Sequence, residues 1–331
     1  MTFFKKQPPG RLIAIGFAAV ILIGALMLML PVSRNTGVSV SFVDALFTST
    51  SAVCVTGLIA VDTADTFSVF GRIIVALLIQ IGGLGVTCVG VSFILLAGKR
   101  IGLKSRLLIR ESWNLDTFKG VVKLVKDVLL LTLMFEGTGT LLSYLSFSKD
   151  YPPLTALGIS AFHSVATFNN SGFAILGGLR SLIPYQDDIL LNLITSGLII
   201  FGGLGFLVIL DILKNRRFKK LTLHSKTVIT MTAALLLIGT LLLKWTENIT
   251  WLGAFFHSTS ARTAGFSTYP LGEFTNASLF VLTILMFIGA SPGSTGGGIK
   301  TTTFFALLQS TRSAAINRPC TAFKRKIPEE T

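Results

Sequence analysis

Three stretches of this chain place a glycine behind a run of small and polar residues, at Gly57, Gly172 and Gly265. Aligned on that glycine, each carries a phenylalanine ten residues earlier (Phe47, Phe162, Phe255) and a large apolar residue just after it (Leu58, Phe173, Phe266). A glycine lets successive peptide carbonyls turn to one side, and a ring of such carbonyls can replace the hydration shell of a cation. The candidate ligands are the carbonyls of Val55, Thr56, Asn170, Ser171, Thr263 and Ala264 beside the three glycines, and their side chains vary widely, as coordination by backbone allows. Cys54-Val55-Thr56-Gly57 comes nearest to the TVGYG loops of cation filters. Other chemistry has little to stand on. Cys54, Cys88 and Cys320 lack ligand spacing, and His163, His224 and His257 do not cluster, so neither a resident metal nor a catalytic group is expected. His163 and His257 fall on the half-apolar stretches before two of the glycines and are read as packing or capping groups.

A carbonyl filter must be held at membrane depth, and the composition supplies a membrane. Of 331 residues, 51% are hydrophobic and 13% charged, about half the charge of a soluble domain. Apolar runs at Leu12 to Leu30, Arg72 to Ala97, Val128 to Leu145, Ile189 to Leu210, Val228 to Leu243 and Leu279 to Leu308 predict six spans. The formal net charge of +14 would suggest nucleic acid in a soluble chain. Sorted by side, however, 23 of the 29 Lys and Arg fall on the N-terminus, loops 98–127 and 211–227, and the segment from Lys300 onward. The positive-inside rule then places both termini in the cytoplasm, and the charge becomes a topology signal that removes the case for nucleic acid.

Between odd and even spans lies an element of about ten residues, too short to cross and ending in the glycine, which reads as a re-entrant half-helix and strand. The second helix of each unit also repeats, with Gly82, Gly83 and Gly85 matching Gly202, Gly203 and Gly205, and Ile288-Gly289-Ala290-Ser291 in the third. Gly82, Gly83, Gly202 and Gly203 are expected to be contact points between helices. The fold class is therefore all-α membrane protein, built from parallel repeats of helix, half-helix with filter strand, and helix. Units are expected at 1–97, 98–210 and 211–311, with a basic cytoplasmic linker or tail at 312–331.

In the third unit Ser291, Pro292, Gly293, Ser294, Thr295, Gly296, Gly297 and Gly298 interrupt the second helix. The segment is too flexible to pack as a rigid helix, and irregular backbone there is acceptable where it lines a cavity, so an intramembrane gate is expected. Its glycines before Lys300 and Thr301 superficially match a phosphate loop, but Ile299 separates glycine from lysine and no sheet strand precedes. Three charges are read as structural or gating. Arg262 should turn from the axis toward helix-end carbonyls or a carboxylate such as Glu273, Lys300 closes the broken segment, and Glu136 could couple protons or bond between helices. Asp62 and Asp65 either attract cations at the mouth or are solvated loop carboxylates.

Segments 49–58, 169–173, 261–267 and 289–300, in this order and on these elements, resemble the Trk/Ktr/HKT superfamily of potassium transporters, most closely the membrane subunit of bacterial Ktr uptake systems. The resemblance covers essentially the whole chain. It implies a channel-like potassium translocator, a membrane homodimer in contact with lipid, and a cytosolic nucleotide-binding regulatory ring subunit. Potassium is then cargo, with no covalently bound cofactor, and the resemblance leaves open whether sodium promotes uptake. It also implies four units around a pseudo-fourfold pore, of which this chain holds three. Only 66 residues follow Gly265. The expectation is that a fourth unit comes from a longer native chain or another subunit, and that these residues alone form no selective pore. The alternative is a secondary transporter with discontinuous helices at a midplane site, against which the parallel, threefold repeat counts.

Overall fold

The computed structural model describes residues 8–96, 102–113, 120–317, 319, 321–323 and 325–326. Lys5, Lys6, Cys320 and parts of the 98–127 loop and the 312–331 tail lie outside the described residues. The three units are helical. The first has α1 (Pro9–Leu28), the half-helix α2 (Phe42–Cys54), α3 (Val69–Leu84) and α4 (Val86–Leu96). A basic helix, α5 (Leu103–Ser112), leads to the second: α6 (Val121–Phe147), the half-helix α7 (Pro153–Phe168), α8 (Ile189–Leu204) and α9 (Phe206–Asn215). The third has α10 (Leu223–Thr246), the half-helix α11 (Trp251–Ser260), α12 (Asn276–Phe287) and α13 (Thr301–Ile316). A two-stranded hairpin, β1 (Thr321–Ala322) with β2 (Arg325–Lys326), follows, and Phe323 at its turn stacks on Phe305.

Six spans were expected, with only the last interrupted; the structure breaks the second helix in all three units. The helices α1, α6 and α10 are long and apolar enough to cross a membrane, whereas α3 and α4 meet at 100° and α8 and α9 at 95°. The hinge residues are Gly85 and Gly205, whose φ of 84° and 91° lie where a side chain is rarely tolerated. In the third unit the break widens to residues 288–300. Hydropathy alone joined these pieces, because the residues on both sides of each glycine remain apolar.

Short polar signals start the helices. Ser41 accepts from the Asp44 N–H, Ser68 from Gly71, Thr222 from Ser225, Thr250 from Gly253 and Thr275 from Ser278, each satisfying a donor that the first turn leaves open. Proline opens α1 and α7, where its missing N–H costs nothing. Along α1, α6 and α10 one stripe packs inward, while Ile23, Leu26, Leu133, Leu141, Leu237 and Ile238 stay exposed, as a lipid-facing surface requires.

One contact occurs three times. Ser49 on α2 donates to the Ile21 carbonyl at 2.7 Å, Ser164 on α7 to Glu136 at 2.7 Å, and Ser258 on α11 to Leu236 at 3.0 Å. Three residues after each carbonyl stands a glycine, Gly24, Gly139 or Gly239, so tightly covered by that serine and by a leucine of the unit's second helix that no β-carbon fits. Units are joined in the same sense around the axis: α3 packs on α7, and α8 on α11.

Candidate functional site

All three half-helices end, C-terminus first, at the strand bearing the filter glycine, so each presents the negative end of its dipole there. Gly57, Gly172 and Gly265 have φ of 71°, 73° and 81°. Gly172 is buried and stands between the other two: a β-carbon on Gly57 would lie 2.7 Å from the Ser171 carbonyl oxygen, and one on Gly172 2.5 Å from that of Ala264. At Gly265 the nearest atom is the Gly172 Cα at 3.8 Å. Backbone approaches backbone here, with no side chain between.

Each strand is tied back to its own half-helix. Thr56 N–H donates to Ser51 at 3.0 Å, Ser171 N–H to Ala166 at 2.8 Å, and Gly265 N–H to Ser260 at 3.1 Å. The Ser51 hydroxyl holds the Leu58 carbonyl and the Ser260 hydroxyl that of Phe266. Val55 and Asn170 occupy the left-handed region at φ 55° and 57°, an uncommon conformation and most costly for the β-branched valine. Thr263 differs, at φ 149°. The third unit has one residue fewer between interlocking serine and glycine, six against seven. Alignment on the glycine therefore misplaced one phenylalanine: the position equivalent to the buried Phe162 is Phe256, fully buried, and not Phe255.

The broken segment was expected to be flexible, and it is instead ordered by backbone hydrogen bonds. Ile288 pairs with Ile299 as a parallel bridge, and Ala290 N–H donates to Gly297 at 2.9 Å. The segment docks into the hinge of the second unit: Phe206 N–H donates to Gly293, Ser291 N–H to Gly203 and Thr295 N–H to Gly202, at 3.0, 3.0 and 3.2 Å. It also meets the strands that follow the second and third half-helices. Asn170 Nδ2 donates to Thr295 Oγ1 at 2.9 Å, Thr295 Oγ1 donates to the Phe168 carbonyl at 2.9 Å, and a β-carbon on Gly296 would sit 2.7 Å from Thr263 Oγ1. Side chains at two positions read as backbone-only ligands thus face the broken segment.

The charges fall as follows. Arg262, 7% exposed, donates to the Gly289 carbonyl at 3.3 Å, two residues past the end of α12, and no ion pair joins it to Glu273 among the described residues. Lys300 Nζ donates to the Gly296 carbonyl at 2.7 Å, and two cations thereby grip the two ends of the broken segment. Glu136 is buried, accepts from Asn169 Nδ2 at 3.1 Å, and that same amide reaches Gln80 Oε1 at 2.9 Å. This is bonding between helices of two units. Asp62 and Asp65 are loop carboxylates with backbone partners: Asp62 Oδ2 accepts from the Leu179 N–H at 2.7 Å and Asp65 Oδ2 from Gly178 at 2.9 Å, stapling unit one to unit two. His163 is bonded to Thr195 at 2.9 Å and packed edge-on against Phe147 and Phe266, a structural place.

Two groups escaped the sequence reading. The interlocking serines and their glycines have a findable signal, a fixed place relative to the half-helix in every unit, hidden by the one-residue slip in the third. Gly82 and Gly202 are close-contact points between helices as expected, and what escaped is the partner, a carbonyl at the end of the unit's own half-helix, that of Val53 or Phe168. Gly83 makes room for Asn169, and the Gly203 carbonyl receives Ser291.

The TrkH family model, a cation transport protein, matches residues 13–252 and 221–322. The chain is 39% identical over 315 residues to Ktr system potassium uptake protein B of Bacillus subtilis, covering 91% of this chain and 70% of the relative. It is 39% identical over 324 residues to potassium/sodium uptake protein NtpJ of Enterococcus hirae, covering 93% and 71%. The crystal structure of the potassium transporter TrkH from Vibrio parahaemolyticus superposes with a TM-score of 0.73 at 19% identity, over 98% of this chain and 67% of that one, and shows the shared fold. These relatives are transport proteins, in keeping with the expectation of no enzymatic chemistry.

Proposed function

The chain belongs to the TrkH cation transport family, and on that premise we propose that it is the ion-translocating membrane subunit of a potassium-uptake system of the Ktr/Trk type. The observation that carries this reading is the approach of Gly57, Gly172 and Gly265, all at positive φ, with the Ser171 and Ala264 carbonyls closer to a neighbouring strand than any side chain would permit. In this reading the carbonyls flanking the glycines replace part of the potassium hydration shell, and the three half-helix ends add a favourable field. The segment from Ser291 to Gly298 is the gate, anchored in the second unit's hinge and reaching Asn170 and Thr263 directly below the strands. Arg262 and Lys300 hold it by bonds to its carbonyls, outside the ion's coordination.

The basic loops put both termini in the cytoplasm, where a nucleotide-binding ring subunit would act on the gate. A second copy of the chain completes the proposed assembly as a homodimer. The first test is potassium uptake by a strain lacking its own high-affinity systems, with the chain completed by a fourth unit and its cytosolic partner supplied together. Gly57→Ser should lower potassium uptake or admit sodium at least tenfold more readily, a loss of about 1.4 kcal/mol of discrimination, with membrane insertion unchanged. Wild-type rate and selectivity in that variant would refute the filter assignment.

A further inference from the structure

Between α3, α6 and α7, on the outside of the joint between the first two units, lies a cleft of about 600 Å³. Its walls are apolar, formed by Ile73, Leu77, Leu133 and Leu154, and each of these is more than half exposed, so the cleft opens sideways toward lipid. Its inner end is polar, with Gln80 and Glu136. Glu136 has an amide partner in Asn169 but no cation: among the described residues none lies within ion-pair distance of it. Arg72, which also lines the cleft, is turned to the carbonyls of Phe67 and Ala64 at 2.9 and 2.6 Å. A carboxyl group inside a membrane normally pairs with an opposite charge or lines a pathway, and the ion-conducting reading uses this one for neither.

We propose that this lateral cleft binds an amphiphilic organic cation, an alkylammonium that enters from the lipid, lays its chain along the apolar walls and sets its head group on Glu136. The two ends of the cleft match the two ends of such a molecule, whereas an acyl chain alone would leave the carboxyl group facing hydrocarbon. Occupancy would be felt at the filter, because Asn169, bonded to Glu136, immediately precedes Asn170. The proposal stands apart from the transport reading, since its test measures binding and not flux.

The probes are decyltrimethylammonium and its uncharged counterpart decanol, titrated into the chain in lipid nanodiscs with empty nanodiscs subtracted. The ammonium should bind tighter than the alcohol, and Glu136→Gln, which keeps an acceptor for Asn169, should weaken the ammonium by about tenfold while leaving the alcohol unchanged. Gly158 lies on the cleft, and a β-carbon there meets nothing within 4 Å, so a side chain can start from α7 unobstructed and Gly158→Trp, by taking up cleft volume, should weaken both probes. Equal affinity for ammonium and alcohol, or an unaltered ammonium affinity in Glu136→Gln, overturns the cation site and leaves only a lipid groove. Unaltered binding of both probes in Gly158→Trp overturns the location. Should Glu136→Gln fail to fold, the comparison of the two probes and the Gly158→Trp result still decide.

Discussion

The hinges at Gly85 and Gly205 are the same backbone in different company. Their φ and ψ are 84° and 135° against 91° and 142°, and the helices they join bend by 100° and 95°. Around Gly85 a β-carbon would meet nothing within 4 Å, whereas at Gly205 it would lie 2.7 Å from the Pro292 carbonyl. The bend therefore does not need the gate segment, for it forms equally where that segment is absent. What the segment proposed as the gate adds is occupancy: it takes a notch that the glycine motif makes anyway and fills it with carbonyl and amide partners.

The largest effect should come from substituting the two hinges alike. Gly85→Ala and Gly205→Ala both force a side chain into a conformation that costs about 1–3 kcal/mol. Only Gly205→Ala also collides with the gate segment, so it should lower thermal stability further and raise basal potassium flux several-fold in the absence of the cytosolic partner. Paired melting curves of the chain, and flux assays with the fourth unit present, check this. Equal effects of the two variants would mean that the segment does not rely on the second hinge.

Next in size is Thr295→Val. Its hydroxyl accepts from Asn170 and donates to Phe168, and removing it leaves a buried amide and a carbonyl without that partner, at about 1–3 kcal/mol. Basal flux should rise as the segment loosens, with ion selectivity little changed, because the strand's own backbone bonds to Ala166 and Thr167 persist. Measured selectivity falling as far as the flux rises would join gate and filter into one element and erase the distinction between an occupied and an empty hinge.

Which parts of this were legible beforehand follows from how far each signal reaches along the chain. The half-helices, strands and filter glycines are local patterns repeated three times, and repetition exposes them even where single residues differ. Gly85 and Gly205 were visible as a repeated motif, yet their bends were not, since a kink leaves hydropathy unchanged. The order of residues 288–300 was hidden for a different reason: glycine-rich sequence reads as flexible, and the partners that fix it, Gly202, Gly203 and Phe206, lie about ninety residues away. Asp62 and Asp65 escaped in the same way, because their acceptor role depends on a loop of the next unit.

The smallest effect, and the one that isolates the shared scaffold from the gate, concerns the interlocking serines. Ser49, Ser164 and Ser258 each make one hydrogen bond to the first helix of their own unit, and each covers the glycine three residues beyond the acceptor. A neutral hydrogen bond of this kind contributes about 0.5–1.5 kcal/mol. The hydroxyl also fills the space above a glycine, so its removal leaves a small gap and no buried charge. If the three units are one device used three times, Ser49→Ala, Ser164→Ala and Ser258→Ala should lower the melting temperature by similar small amounts. The order of the three should not follow distance from the gate, and basal flux should stay at its wild-type level in all of them. A markedly larger loss for Ser164→Ala would show that the second unit, the one carrying the occupied hinge, is held by its interlock more than the others, and the separation of scaffold from gate would fail at that serine.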